Sequence, residues 1–160
     1  MARRRTIIGV MGGAAAGAEV SRMAEELGQR IARAGWVLLS GGRPAGVMLA
    51  ASRGASEAGG LVIGVLPGAD PDGANDYVDI AIATGLADAR NLVNVLSSDV
   101  VVACPGGAGT LSEVALAAKN GKPLVLLGLD PGPAVPEGPR VLRASDPAEA
   151  VERIRALLGR

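Results

Sequence analysis

The chain has 160 residues, 49% of them apolar, and its 16 basic and 16 acidic residues cancel. It contains no His, no Phe, one Cys, one Trp and one Tyr. Imidazole bases, Ser-His-Asp triads, His-ligated metals, intramolecular disulfides and multi-Cys zinc sites are thereby excluded, and neutrality with so few aromatics argues against nucleic acid as a partner.

The core must be assembled from Val, Leu, Ile, Ala and Met. Arg3-Arg4-Arg5 reads as a solvated lead-in. A β-rich apolar run at 6–11 breaks at Gly12-Gly13. Between 18 and 34 the apolar positions Val20, Met23, Ala24, Leu27, Ile31 and Ala32 recur at helical spacing, and Gly35 caps the helix. A second strand at 36–39 is closed by Ser40-Gly41-Gly42. A helix over 45–58 stops at Gly59-Gly60, and a third strand covers 61–66. Residues 69–76 are a polar loop, 77–83 a fourth strand and 86–97 a helix.

Residues 99–104 form the most hydrophobic strand, of the kind a parallel sheet buries on both faces. Cys104 ends it and reads as a buried structural thiol. The strand runs into Pro105-Gly106-Gly107-Ala108-Gly109-Thr110 and then a helix to about 120. Residues 123–127 are a sixth strand, 130–139 a Pro/Gly-rich surface loop and 141–143 a short seventh strand. Asp146-Pro147 opens a last helix. The expected fold is one α/β domain over 1–160, a doubly wound, mainly parallel Rossmann-like sheet of six or seven strands with helices on both faces. Neither a signal-peptide pattern nor ~18 consecutive apolar residues is found, so no membrane association and a cytoplasmic location are expected.

Glycine pairs follow three strands, at Gly12-Gly13, Gly41-Gly42 and Gly106-Gly107, and suggest a backbone-lined crevice at the strand ends. In 105–110 the glycines expose backbone amides, and the following helix adds unpaired N–H groups and a positive dipole end. This predicts a phosphate held by Gly106, Gly107, Ala108, Gly109 and Thr110, with the remaining ligand across Gly12, Gly13, Gly41 and Gly42. The turn lacks the Lys of a P-loop, and 9–17 lacks the dinucleotide spacing, which disfavours an NAD enzyme. Asp70, Asp72, Asp76 and Asp79 fail the EF-hand pattern, so no metal site is expected.

Two charged residues stand beside these motifs. Arg90 lies on a helix with the apolar stripe Leu86, Ala89, Leu92, Val93 and Leu96, with Asn94 one turn on; it either faces a ligand or pairs with an acid such as Asp88. Glu113 either faces a ligand or closes a capping box, Thr110-Leu111-Ser112-Glu113.

The stretch from Pro105 to Glu113 resembles the Pro-Gly-Gly-x-Gly-Thr-x-x-Glu signature of the LOG family, which belongs with DprA-related nucleotide-binding folds. Gly41-Gly42-Arg43-Pro44-Ala45-Gly46-Val47-Met48 resembles that family's second glycine segment. The resemblance implies a nucleoside 5'-monophosphate phosphoribohydrolase that needs no cofactor, with Arg90 and Glu113 as the catalytic pair. The enzymes carry Arg-Lys where this chain has Arg90-Asn91, and Glu-Glu where it has Ser112-Glu113. These departures resemble the branch of molybdenum cofactor carrier proteins, which bind a phosphate-bearing pterin. The alternative function is therefore a non-catalytic carrier, and a third is a nucleotide-sensing module. The resemblance also implies a homodimer or higher homo-oligomer.

Overall fold

The computed structural model describes residues 3–159. Its strands are β1 (Ile7–Met11), β2 (Val37–Ser40), β3 (Val62–Leu66), β4 (Ile80–Ala83), β5 (Val100–Ala103), β6 (Leu124–Leu127) and β7 (Val141–Ala144). Its helices are α1 (Ala18–Arg33), α2 (Gly46–Glu57), α3 (Arg90–Ser97), α4 (Ala108–Lys119) and α5 (Pro147–Leu157). The strands form one sheet in the order β4-β3-β2-β1-β5-β6-β7, and every pairing is parallel. The chain winds outward from β1 to β4, then returns to β5 on the other side of β1. This is the doubly wound Rossmann-like fold, and its switch point lies between the carboxyl ends of β1 and β5.

The apolar runs explain the layering. Residues of β2, β5 and β6 are buried throughout, as central parallel strands require. On one face Ile8, Val10, Leu38, Val100 and Val102 pack under α1, α2 and α5; on the other Met11, Leu39, Val65, Val101 and Leu126 pack under α3 and α4. Asp146 starts α5 as its sequence predicts, accepting a hydrogen bond from the Glu149 amide at 2.8 Å with Pro147 at the first helical position. Asp99 anchors the start of β1, accepting from the Ile7 amide at 2.8 Å and from Arg4 at 2.6 Å. Cys104 is fully buried in apolar surroundings, which push its thiol up to about 12.

Three local expectations need correction. The fourth strand begins at Ile80 rather than 77, because Asp79 turns its carboxylate onto the Val62 amide at 2.8 Å. The helix expected over 86–97 is broken: a 3-10 turn at Ala87–Ala89 precedes α3, and Ala87 sits at φ 49°. Most of the apolar stripe of that helix also faces outward, Val93 excepted. Leu86, Leu92 and Leu96 are exposed, whereas Asn94 and Val95 are buried. Polar bonds made by Arg90 and Asn94, described below, hold the inward face together with Val93 and Val95.

Part of the sheet on the same side is also uncovered. Ile80 and Ile82 of β4 are 45% and 44% exposed and sit in register with Ile63 and Val65, on the α3–α4 side. Three helices cover one face of the sheet and two cover the other, so the outer strand is left bare. Leu111 of α4 is exposed on the same side.

Candidate functional site

A cavity of about 310 Å³ opens at the switch point, lined by the β1 loop (Gly12, Gly13, Ala14), the β2 loop (Gly41, Arg43), α3 and its approach, and the start of α4. Of the residues predicted from sequence, Gly12, Gly13, Gly41, Arg90, Gly107, Gly109, Thr110 and Glu113 line it together. Gly42, Gly106 and Ala108 lie off the lining. Gly42 and Gly106 have packing reasons of their own. Gly42 sits at φ +73°, with its ideal Cβ position 2.8 Å from the Gly64 Cα; a side chain at Gly106 would run into Thr110 and the Gly13 amide.

The loops are joined by backbone bonds. The Gly13 amide donates to the Pro105 carbonyl at 3.0 Å, and the Val47 amide to the Gly13 carbonyl at 3.0 Å. Helix α4 starts behind an extended Gly107 with no side-chain cap. The amides of Ala108, Gly109 and Thr110 therefore have no side-chain cap, the kind of helix start that can take an anion, whereas the Leu111 amide already donates to the Gly107 carbonyl. Apart from adjoining residues and the backbone of α4 itself, nothing lies within 4 Å of a Cβ built on Gly107 or Gly109, so that face of the turn is open.

Arg90 begins α3 and is half-buried. Its Nη1 donates to the carbonyls of Gly41 and Val65, each at 2.7 Å, so it pins the ends of β2 and β3. The surface pairing with Asp88 does not form, because these carbonyls take the guanidinium first. Burial lowers the Arg90 pKa, Glu113 opposes that shift and the like charge of Arg43 adds to it. A guanidinium nevertheless stays charged.

Glu113 is buried, and its Oε2 accepts from Asn94 Nδ2 at 3.1 Å. Burial pushes its carboxyl up to about 7, against the pull of Asn94 and Arg90. The capping box is not formed: Thr110 is the third residue of α4 rather than its cap, which places Glu113 a further turn along. A buried carboxyl near neutrality beside a cation suits proton transfer or hydrogen bonding to a ligand.

Sequence reasoning missed four contributors. Arg43 and Asp88 stand exposed on the cavity lining, and Asn91 and Asn94 lie deeper. Asn91 Nδ2 donates to Ser112 Oγ at 3.0 Å and its Oδ1 accepts from Arg90 Nε at 3.2 Å. Arg43 was legible as the residue after Gly41-Gly42 in the second glycine segment. Asn91 was marked in the sequence only as a departure from the enzyme pattern and Asn94 only as a neighbour of Arg90, because the partners they find, Ser112 and Glu113, are about 20 residues away.

The SLOG cluster4 family model matches residues 5–151. This chain belongs to the SLOG cluster4 family. The similarity to LOG proteins read from the glycine signature therefore extends over nearly all of this SLOG domain. A Rippkaea orientalis structure described as a molybdenum cofactor binding protein is 49% identical, with 98% of this chain and 99% of that one covered and a TM-score of 0.89. The molybdenum cofactor carrier protein of Chlamydomonas reinhardtii is 47% identical, over 98% and 100% of the two chains, with a TM-score of 0.86. The cytokinin riboside 5'-monophosphate phosphoribohydrolase of Mycobacterium tuberculosis is 33% identical over 69% of this chain and 63% of its own.

Proposed function

We propose that this SLOG protein is a non-catalytic carrier of a phosphorylated pterin, the molybdenum cofactor. The phosphate rests on the open amides between Gly106 and Thr110, and Arg90 and Arg43 supply positive charge beside it. The observation that carries this reading is a cavity lined by the start of a helix and two guanidiniums, in a chain resembling a molybdenum cofactor binding protein and a molybdenum cofactor carrier protein from end to end.

A second reading keeps the chemistry of the phosphoribohydrolases, because Arg90 and Glu113 line the same cavity. Glu113 would then stabilise a cationic sugar or position water as the glycosidic bond breaks. Anaerobic purification followed by mass spectrometry of the bound small molecule separates the two. A stoichiometric phosphorylated pterin supports the carrier; a nucleoside monophosphate, with free base accumulating, supports the hydrolase and overturns the carrier.

The functional unit is a homodimer or larger homo-oligomer. The bare β4 face and the exposed Leu92, Leu96 and Leu111 all lie on the α3–α4 side of the sheet, where a second copy would cover them.

A further inference from the structure

We infer that Asn91 is a positioning residue that presents the free end of Arg90 to the ligand phosphate and ties it to the glycine turn; this rests on the phosphate-binding reading above. Arg90 has five N–H donors. Both hydrogens of Nη1 go to the carbonyls of Gly41 and Val65, and the Nε hydrogen goes to Asn91 Oδ1. The two remaining hydrogens are both on Nη2. The guanidinium is thus held on two sides, with one nitrogen left to form a double contact with a phosphate.

The hold on Nε continues across the cavity wall. Asn91 Nδ2 donates to Ser112 Oγ at 3.0 Å, and Ser112 Oγ donates to the Gly109 carbonyl at 2.7 Å. Gly109 lies in the first turn of α4, the turn whose amides face the cavity. An unbroken run of hydrogen bonds therefore joins the cation on α3 to the anion-binding start of α4. Its direction dictates the residue type. Position 91 must accept from Arg90 and donate to Ser112, whose own hydrogen is already spent. A primary amide does both. A carboxylate only accepts, an ammonium only donates, and an aliphatic side chain does neither.

The test uses Asn91→Leu, Ser112→Ala and Arg90→Lys, with inorganic phosphate and adenosine 5'-monophosphate as probes. Without any probe, the Arg90 Nε–H should give a slowly exchanging NMR signal in the parent, and Asn91→Leu should lose it. By calorimetry, Asn91→Leu should weaken probe binding about tenfold and Ser112→Ala by a smaller factor. Asn91→Leu should add nothing once Arg90→Lys is in place, because lysine has no Nε–H to orient. Parent-like affinity in Asn91→Leu, or losses that multiply fully in the double variant, overturns the inference. If the parent itself binds neither probe, the phosphate reading fails. In that case a protected Nε–H in the parent that Asn91→Leu abolishes still upholds Asn91 as the residue holding Arg90, and an unchanged signal removes that too.

Discussion

Asn91 Nδ2 lies 3.0 Å from Ser112 Oγ, so the two positions at which this chain departs from the LOG enzyme pattern touch each other. A neutral amide–hydroxyl pair occupies the two positions where the resembled LOG pattern has lysine and glutamate, so a change at one bears directly on the other across α3 and α4. Asn91→Lys alone should therefore cost stability, by about 1 kcal/mol, because the new ammonium meets a hydroxyl and crowds Arg90. Asn91→Lys with Ser112→Glu should recover most of that loss. Thermal melts of the two variants check this, and equal melting temperatures would break the link.

Gly107→Val should remove binding while sparing the fold. A Cβ there meets nothing within 4 Å, and the extended backbone, φ −98° and ψ −151°, accepts a β-branched residue. The added methyls stand where a phosphate would approach the amides. Stability should fall by ~1 kcal/mol, since Val is a poor helix cap, and affinity for the native ligand should drop at least ~10-fold. Calorimetry with the copurified ligand measures it; undiminished affinity would place the ligand elsewhere.

The glycines off the lining should behave in the opposite way. Gly42→Ala forces a side chain into a left-handed position and against the Gly64 backbone. It should lose ~3 kcal/mol, compared with ~1 kcal/mol for Gly35→Ala, which shares the positive φ but has open space around it. Denaturant melts of the two variants test the difference, and similar losses would mean that the contact with Gly64 yields easily.

The parts of the molecule legible in sequence were those whose cause is local. Residues 99–104 are too apolar for anything but a central strand, and the glycines at 106, 107 and 109 could mark a turn without any knowledge of its neighbours. The orientation of α3 was not legible. An apolar stripe at helical spacing looks the same whether it meets the chain's own core or a second copy, and Leu92 and Leu96 point outward. Nor could the sequence separate the glycines that line the cavity from Gly42 and Gly106, which serve backbone packing. Glu113 fitted a capping box by spacing alone, but the helix begins at Ala108 and its carboxylate turns to Asn94.

Leu92→Lys together with Leu96→Lys should yield a soluble monomer. Both side chains are exposed and lie one turn apart on α3, so two ammonium groups there harm the apolar face without entering the core. Light scattering should give 15.9 kDa for the variant and at least twice that mass for the parent. A parent that stays monomeric across micromolar concentrations would remove the oligomer from the proposal.

Glu113→Gln separates the carrier from the enzyme without disturbing Asn94, because the glutamine Oε1 still accepts from Asn94 Nδ2. Its stability effect depends on pH. Burial raises the carboxyl from 4.5 to about 7, so the folded protein holds the proton more tightly than the unfolded chain. As far as this group is concerned, stability is greatest below about pH 4 and falls between 4.5 and about 7, where the unfolded chain ionises and the folded carboxyl does not; the full cost, on the order of 3 kcal/mol, applies above about 7. Glutamine carries no such cost. The variant should match the parent below about pH 4, where both states hold the proton, and melt higher near pH 8, and a difference that stays flat with pH would mean that Glu113 ionises freely. The same variant tests catalysis. On the carrier reading neither protein releases base from nucleoside monophosphates, and both bind the pterin. If the parent does release base and Glu113→Gln is at least ~100-fold slower, the carboxylate is catalytic and the enzyme reading replaces the carrier. Glu113→Ala would answer neither question, since it leaves Asn94 buried with no partner for its Nδ2, beside an Oδ1 that already lacks one among the described residues.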